Sequence, residues 1–203
     1  NHSEMGDSSR WASGNWQIGN NVVTCKAWDD TRNITIATFT VSVTDSNAAT
    51  TTGPFTITND STGGDCTSIG TWSSASKTCQ LTTNLTHGII IGSNDITLDG
   101  NGKTITGTYT ALNPSAATFT DGILVDGKTG VTLSNVSIYN VPTGIYLSSS
   151  ENNWIVHSRL IDNGYGVSLY DSPNNQITNT AFNSEDGYGI KVDRSHLNVI
   201  TSN

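Results

Sequence analysis

The sequence predicts an all-β protein built mainly as a parallel β-helix, with a short β segment ahead of it. Three observations lead there. Thr, Val, Ile, Ser, Asn and Gly dominate, no long Leu/Ala/Glu/Lys run occurs, and charged residues are only 13% of 203, a composition suited to strands and turns rather than helices. Short apolar stretches recur about every 22 residues. Asn falls at a fixed place within that period.

The period is read from the glycines. Gly122-Ile123-Leu124-Val125 is followed 22 residues later by Gly144-Ile145-Tyr146-Leu147, then by Gly166-Val167-Ser168-Leu169, and 23 residues later by Gly189-Ile190-Lys191-Val192. Gly88-Ile89-Ile90-Ile91 lies 34 residues before Gly122, one period plus an insertion of 12 placed within "GTYTALNPSAATFTD". Other columns keep the same spacing. Leu98, Leu133, Ile155, Ile177 and Ile200 form one apolar column, and Ile138, Leu160 and Phe182 another. Asn153, Asn175 and Asn198 form a polar one. A period of this length with strand-type segments marks a solenoid. The fixed Leu framework of a leucine-rich repeat is absent. A β-helix of about three short strands per turn fits, with turns stacked ~4.8 Å apart. Its Asn columns sit at corners, where stacked amides are expected to bond from turn to turn.

Taken alone, Asp99-Gly100-Asn101-Gly102 in "DITLDGNGKTITG" reads as a hairpin tip. Within the repeat it is instead a corner between two strands of one turn. The boundaries that follow are 1–45 for the leading β segment, 46–53 for the linker "SNAATTTG", 54–87 for the entry to the helix, and 88–203 for its turns.

Three cysteines allow one internal pair. Cys66 and Cys79 close a short loop suited to an oxidising compartment, and Cys25 is left over. The sequons at Asn1, Asn33, Asn59, Asn84 and Asn135 are N-glycosylation candidates. A net charge of −8 with no basic stripe argues against nucleic acid as a partner. No apolar run is long enough to span a membrane.

The block "CTSIGTWSSASKTCQLTTNLTHGIIIGSNDITLDGNGKTITG", followed by "GI.L" and "NN.I" repeats, resembles the entry to right-handed β-helix proteins of the NosD-like, carbohydrate-associated type. The likeness covers roughly residues 54–203 and implies the fold more than any activity. Upstream, "NWQIGNNVVTCKAWDDTRNITIATFTVSVTD" alternates as two strands about a polar turn. It resembles the C-terminal part of a hyalin repeat, an immunoglobulin-like β-sandwich of extracellular proteins. That resemblance implies an earlier Cys as partner for Cys25, and none is present. A half sandwich leaves open edges, and "LNVITSN" stops within a turn. Neighbouring chain or a neighbouring subunit is therefore expected at both ends, strand addition between copies being one route.

Chemistry is sparse. Sugar hydrolases need paired carboxylates, and the adjacent pairs Asp29-Asp30 and Glu185-Asp186 read as turn residues. "THG" at 86–88 and "GIKVDR" at 189–194 are partial echoes of polygalacturonase-like motifs. His2, His87, His157 and His196 have no ligand spacing, so the copper association of the NosD name is not carried by them. His157 shares a corner column with Asn135 and Asn179. Asp126, Asp171 and Asp193 occupy similar corners and are the candidate calcium ligands, calcium being the one cofactor the pattern offers. Tyr165 and Tyr188 sit in Gly-Tyr-Gly one turn apart, and Trp154 points outward because Ile155 belongs to the apolar column. These three are the candidate contacts to sugar or partner. The reading favoured is an extracellular structural or adhesive module of a cell-surface or secreted protein, self-associating into a filament. The alternatives are a carbohydrate-binding module, or a polysaccharide lyase or hydrolase with its active site outside these residues. The enzyme reading is the least favoured of the three.

Overall fold

The computed structural model describes residues 53–110, 112, 115, 120–183 and 186–203, and the backbone of two N-terminal strands. Those strands, Gly19–Trp28 and Ile34–Val43, pair antiparallel with Gly19 opposite Val43 and Trp28 opposite Ile34. They belong to a unit spanning Asn1–Ser46, separate from the Asn47–Asn203 unit. Two strands fall where "VVTCKAW" and "ATFTVSVTD" predict them. Asp29, Asp30 and Asn33 lie outside the described residues.

The larger unit is a parallel β-helix of three sheets. Sheet I stacks Phe55–Ile57, Ile89–Ile91, Asp121–Asp126, Thr143–Ser148, Tyr165–Tyr170 and Ile190–Asp193. Sheet II stacks Thr78–Leu81, Thr97–Asp99, Thr132–Ser134, Trp154–Val156, Gln176–Thr178 and Val199–Thr201. Sheet III stacks Thr104–Thr106, Ser137–Tyr139, Arg159–Ile161 and Ala181–Asn183. Asp99 through Gly102 form the corner between Thr97–Asp99 in sheet II and Thr104–Thr106 in sheet III, not a hairpin.

The registers match the predicted columns. Leu98, Leu133, Ile155, Ile177 and Ile200 pair in series through sheet II. Ile138, Leu160 and Phe182 do so through sheet III, and the structure adds Ile105 ahead of them. Ile89 pairs with Ile123 across the inserted segment. The column members from Leu98 to Ile177 are fully buried, so like packs on like along the axis. At the N-terminal end the helix Cys66–Ile69 and the strand Gly70–Ser73, antiparallel to Thr78–Leu81, cover the stack. Cys66 is disulfide-bonded to Cys79, and Cys79 pairs with Leu98 at the head of the sheet II column. The bond therefore ties the cap to the first turn.

Gly122, Gly144 and Gly166 mark the period because of space, not φ. A Cβ on Gly144 would stand 2.6 Å from the carbonyl oxygen of Gly166, and one on Gly166 would stand 2.4 Å from that of Gly189. Positive φ occurs at the corners instead. Asn101, Asn135, His157, Asn179 and Ser202 repeat it at one corner, and Gly127, Ser149, Asp171 and Arg194 at another. Asn, Asp and Gly tolerate this conformation best, so the Asn and Gly content follows from the corners.

The Asn column works differently from expectation. The amides do not bond one another. Asn153 Oδ1 accepts from Val131 N at 2.8 Å, Asn175 Oδ1 from Asn153 N at 2.8 Å, and Asn198 Oδ1 from Asn175 N at 2.7 Å. Ser172 Oγ similarly accepts from Ser150 N, and Ser195 Oγ from Ser172 N. At a corner the backbone leaves the ladder, and its N–H has no main-chain carbonyl opposite. A side chain from the next turn supplies the acceptor.

Candidate functional site

The outer face of sheet I carries the site. Each six-residue strand turns its second, third and fifth residues inward, giving the burial order of Thr143–Ser148 and Tyr165–Tyr170. The first, fourth and sixth face outward. Register then builds three outward columns: Asp121, Thr143 and Tyr165; Leu124, Tyr146, Ser168 and Lys191; Asp126, Ser148, Tyr170 and Asp193.

Ser168 is the small member among large neighbours. Tyr146 lies one turn before it, Lys191 one turn after, and Tyr165 and Tyr170 on its own strand. The result is a cavity of about 260 Å³. Asp121 and Thr143 border it at one end, and Asp193 at the other. Tyr165 stacks on Tyr188 at 6.1 Å between ring centroids and 17° between planes. Lys191 Nζ stands 5.3 Å from the Tyr165 ring centroid. Arg194 covers Tyr170 at 4.3 Å and pairs with Asp171 at 2.8 Å. The aromatic faces are therefore fixed by neighbours on adjacent turns.

The inserted segment reaches this face through Tyr109. Its hydroxyl would lie 3.1 Å from a Cβ on Gly164, and it hydrogen-bonds Asp186. Burial first, and then the Asp186 carboxylate, push the Tyr109 hydroxyl above its ordinary range. Gly187, next to Asp186, lies where a Cβ would meet the Tyr165 ring at 2.8 Å. Tyr109 thus pins the corner that supports Tyr165 and leads into Tyr188.

Burial raises the Asp121 carboxyl above its ordinary 3.8, against the opposing hydrogen bonds of Thr120 and Thr143. A proton is then held more tightly folded than unfolded. Asp121's favourable contribution is present below its ordinary value and lost as pH rises through the raised one. Asp121→Asn is expected to flatten that part of the stability–pH curve, gaining on the parent above the carboxylate range and matching it below. Urea denaturation across pH 3 to 8 measures this, and parallel curves for the two proteins would contradict it.

Of the three predicted contacts, Tyr165 and Tyr188 come together here and Trp154 does not. Trp154 lies on sheet II between Thr132 and Gln176, outward as expected at 37% exposure. Asp126, Asp171 and Asp193 do not converge. Asp126 and Asp193 share a column three turns apart, roughly 14 Å by strand spacing, and Asp171 is engaged by Arg194. Among the described residues no group of three His, Cys, Asp or Glu could hold a metal ion. Asp121 and Asp193 are likewise three turns apart, roughly 14 Å along the backbone stack by strand spacing, where a glycosidase pair sets its carboxyl groups roughly 5–9.5 Å apart. His157 lies 3.5 Å from Asn179 at its corner. Asn59 and Asn135 are exposed, Asn135 donating to Asp99, and Asn84 Oδ1 accepts from Thr104 N.

Sequence reasoning missed Asp121, Thr143, Tyr146, Ser168, Tyr170 and Lys191. The signal was available: they fall at the first, fourth or sixth place of the strand motif, whose outward parity depends on the glycine at the second place being buried.

A family model described as "Right handed beta helix region" matches residues 41–203. No curated relative and no solved structure matched the chain.

Proposed function

The chain belongs to the right-handed β-helix family, and on that premise we propose that it is a carbohydrate-binding module holding a saccharide across the outer face of sheet I. One observation carries this reading: Tyr146, Tyr165 and Tyr170 surround the small Ser168, with Tyr188 stacked on Tyr165. Tyrosine rings offer apolar faces to the C–H faces of sugars and hydroxyls to their rims. The NosD-like, carbohydrate-associated assignment is in keeping with it. So is a secreted or cell-surface location, since the Cys66–Cys79 bond suits an oxidising compartment.

Tyr165→Ala is expected to weaken glycan binding about tenfold. Trp154→Ala, on another sheet, is expected to leave it unchanged. Isothermal titration of a glycan first identified on an array measures both. Equal affinities for the parent and Tyr165→Ala would remove this face from consideration.

A second reading, the extracellular structural or adhesive module, draws on the final turn. Val192, Val199 and Ile200 are 47%, 50% and 42% exposed there, an apolar edge that a second copy can cover. The hyalin-repeat assignment of Gly19–Trp28 and Ile34–Val43 belongs to this reading. Sedimentation velocity at rising concentration tests it, association into long particles being the supporting outcome.

A further inference from the structure

We infer that the saccharide is uncharged: the site discriminates against glycans bearing carboxylate or sulfate. This inference rests on the saccharide-binding reading and names the class of ligand for that same face. Of the cations at this face, Arg194 is committed to Asp171 at 2.8 Å and to the Tyr170 ring. Its charge is answered by that carboxylate, and it does not line the cavity. Lys191 lines the cavity, but Asp193 lies two residues along the same strand on the same face and lines it too. At the opposite end Asp121 has only hydroxyl partners, Thr120 at 3.2 Å and Thr143, and no cation within ion-pair distance among the described residues. Two acids and one base thus border the cavity of a chain whose net charge is −8. An anionic sugar would meet a carboxylate at either end against the single cation Lys191, which shares its strand face with Asp193. A neutral sugar meets complementary groups throughout. Its hydroxyls donate to Asp121 and Asp193 and accept from Lys191, and Thr143 and Ser168 serve either way.

The test uses the whole chain and a matched pair of probes, an oligogalacturonide and the same oligomer with its carboxyls reduced to alcohols, alongside neutral gluco-, xylo- and manno-oligosaccharides. Calorimetry at 50 and 300 mM salt reads affinity. The expected result is a neutral ligand bound at least ~10-fold more tightly than its acidic counterpart, with little salt dependence. Asp193→Asn is expected to narrow that gap from both sides, weakening the neutral sugar and strengthening the acidic one, which loss of fold would not do. Equal or tighter binding of the acidic oligomer, weakened by salt and by Lys191→Met, would overturn the inference and leave the saccharide site standing. Absence of binding to every glycan, neutral or acidic, would overturn both.

Discussion

Gly144→Ala is expected to destabilise the β-helix by more than about 3 kcal/mol, enough to abolish folding of a marginal domain. The new Cβ would stand 2.6 Å from the Gly166 carbonyl oxygen and 3.2 Å from Leu160 Cδ2. The first contact is with backbone, which cannot rotate away. Relief requires the turns containing Thr143–Ser148 and Tyr165–Tyr170 to part, and these pair at five positions. Each of these strands also pairs with a further neighbour, Asp121–Asp126 and Ile190–Asp193, so parting them strains sheet I on both sides. Gly102→Ala is an informative contrast, because nothing lies within 4 Å of its Cβ position while its φ is +72°. Its cost is conformational, about 1 kcal/mol. Chemical denaturation of the two variants separates the mechanisms. Equal losses would mean that the glycine column serves backbone freedom rather than close approach.

Asn175→Ala is expected to cost about 3 kcal/mol. Asn175 is 1% exposed. Its Oδ1 accepts from Asn153 N at 2.8 Å, and its Nδ2 donates to Ser150 O at 2.9 Å and Ser172 O at 3.0 Å. Removing the amide strands one buried backbone donor and weakens two acceptors. The loss should also be directional. Asn153 N belongs to the preceding turn, so amide exchange should accelerate at Asn153 before it does at Gln176. The exposed neighbour Gln176→Ala should change stability by less than ~0.5 kcal/mol. Denaturation midpoints and hydrogen exchange together measure this. An Asn175→Ala protein as stable as the Gln176→Ala protein would show that the corner amides are dispensable.

Both predictions concern positions that the repeat makes visible, but for reasons the repeat alone misassigns. Gly144 stands out as a period marker and Asn175 as a column member. Turn chemistry is the ordinary explanation for each, since Gly frees φ and Asn favours corners. The first is instead a packing contact, and the second is a side chain bonded to the backbone of another turn. The candidate site divides the same way. Tyr165 and Tyr188 are legible because each sits in Gly-Tyr-Gly one period apart. Trp154 is equally legible as outward-facing, yet it lies on a different sheet. Lys191 and Asp193 lie within the partial motif "GIKVDR", but nothing local indicates that they border a cavity floored by Ser168.

By itself, the sequence determined the class of fold, the period, the apolar columns and their register, and the corner at Asp99–Gly102. All of these depend on which residues are inward, and parity along a strand together with repetition along the chain encodes that directly. Tertiary structure alone decided which outward residues meet. The buried glycine at the second place of each strand sets three outward columns on sheet I. Stacking brings Tyr146, Ser168 and Lys191 into line, and the inserted segment swings Tyr109 onto Asp186. Outward side chains need satisfy no packing column, so their type carries no period. Their neighbours are set by the lateral placement of strands 22 or more residues apart, which no short stretch of sequence contains.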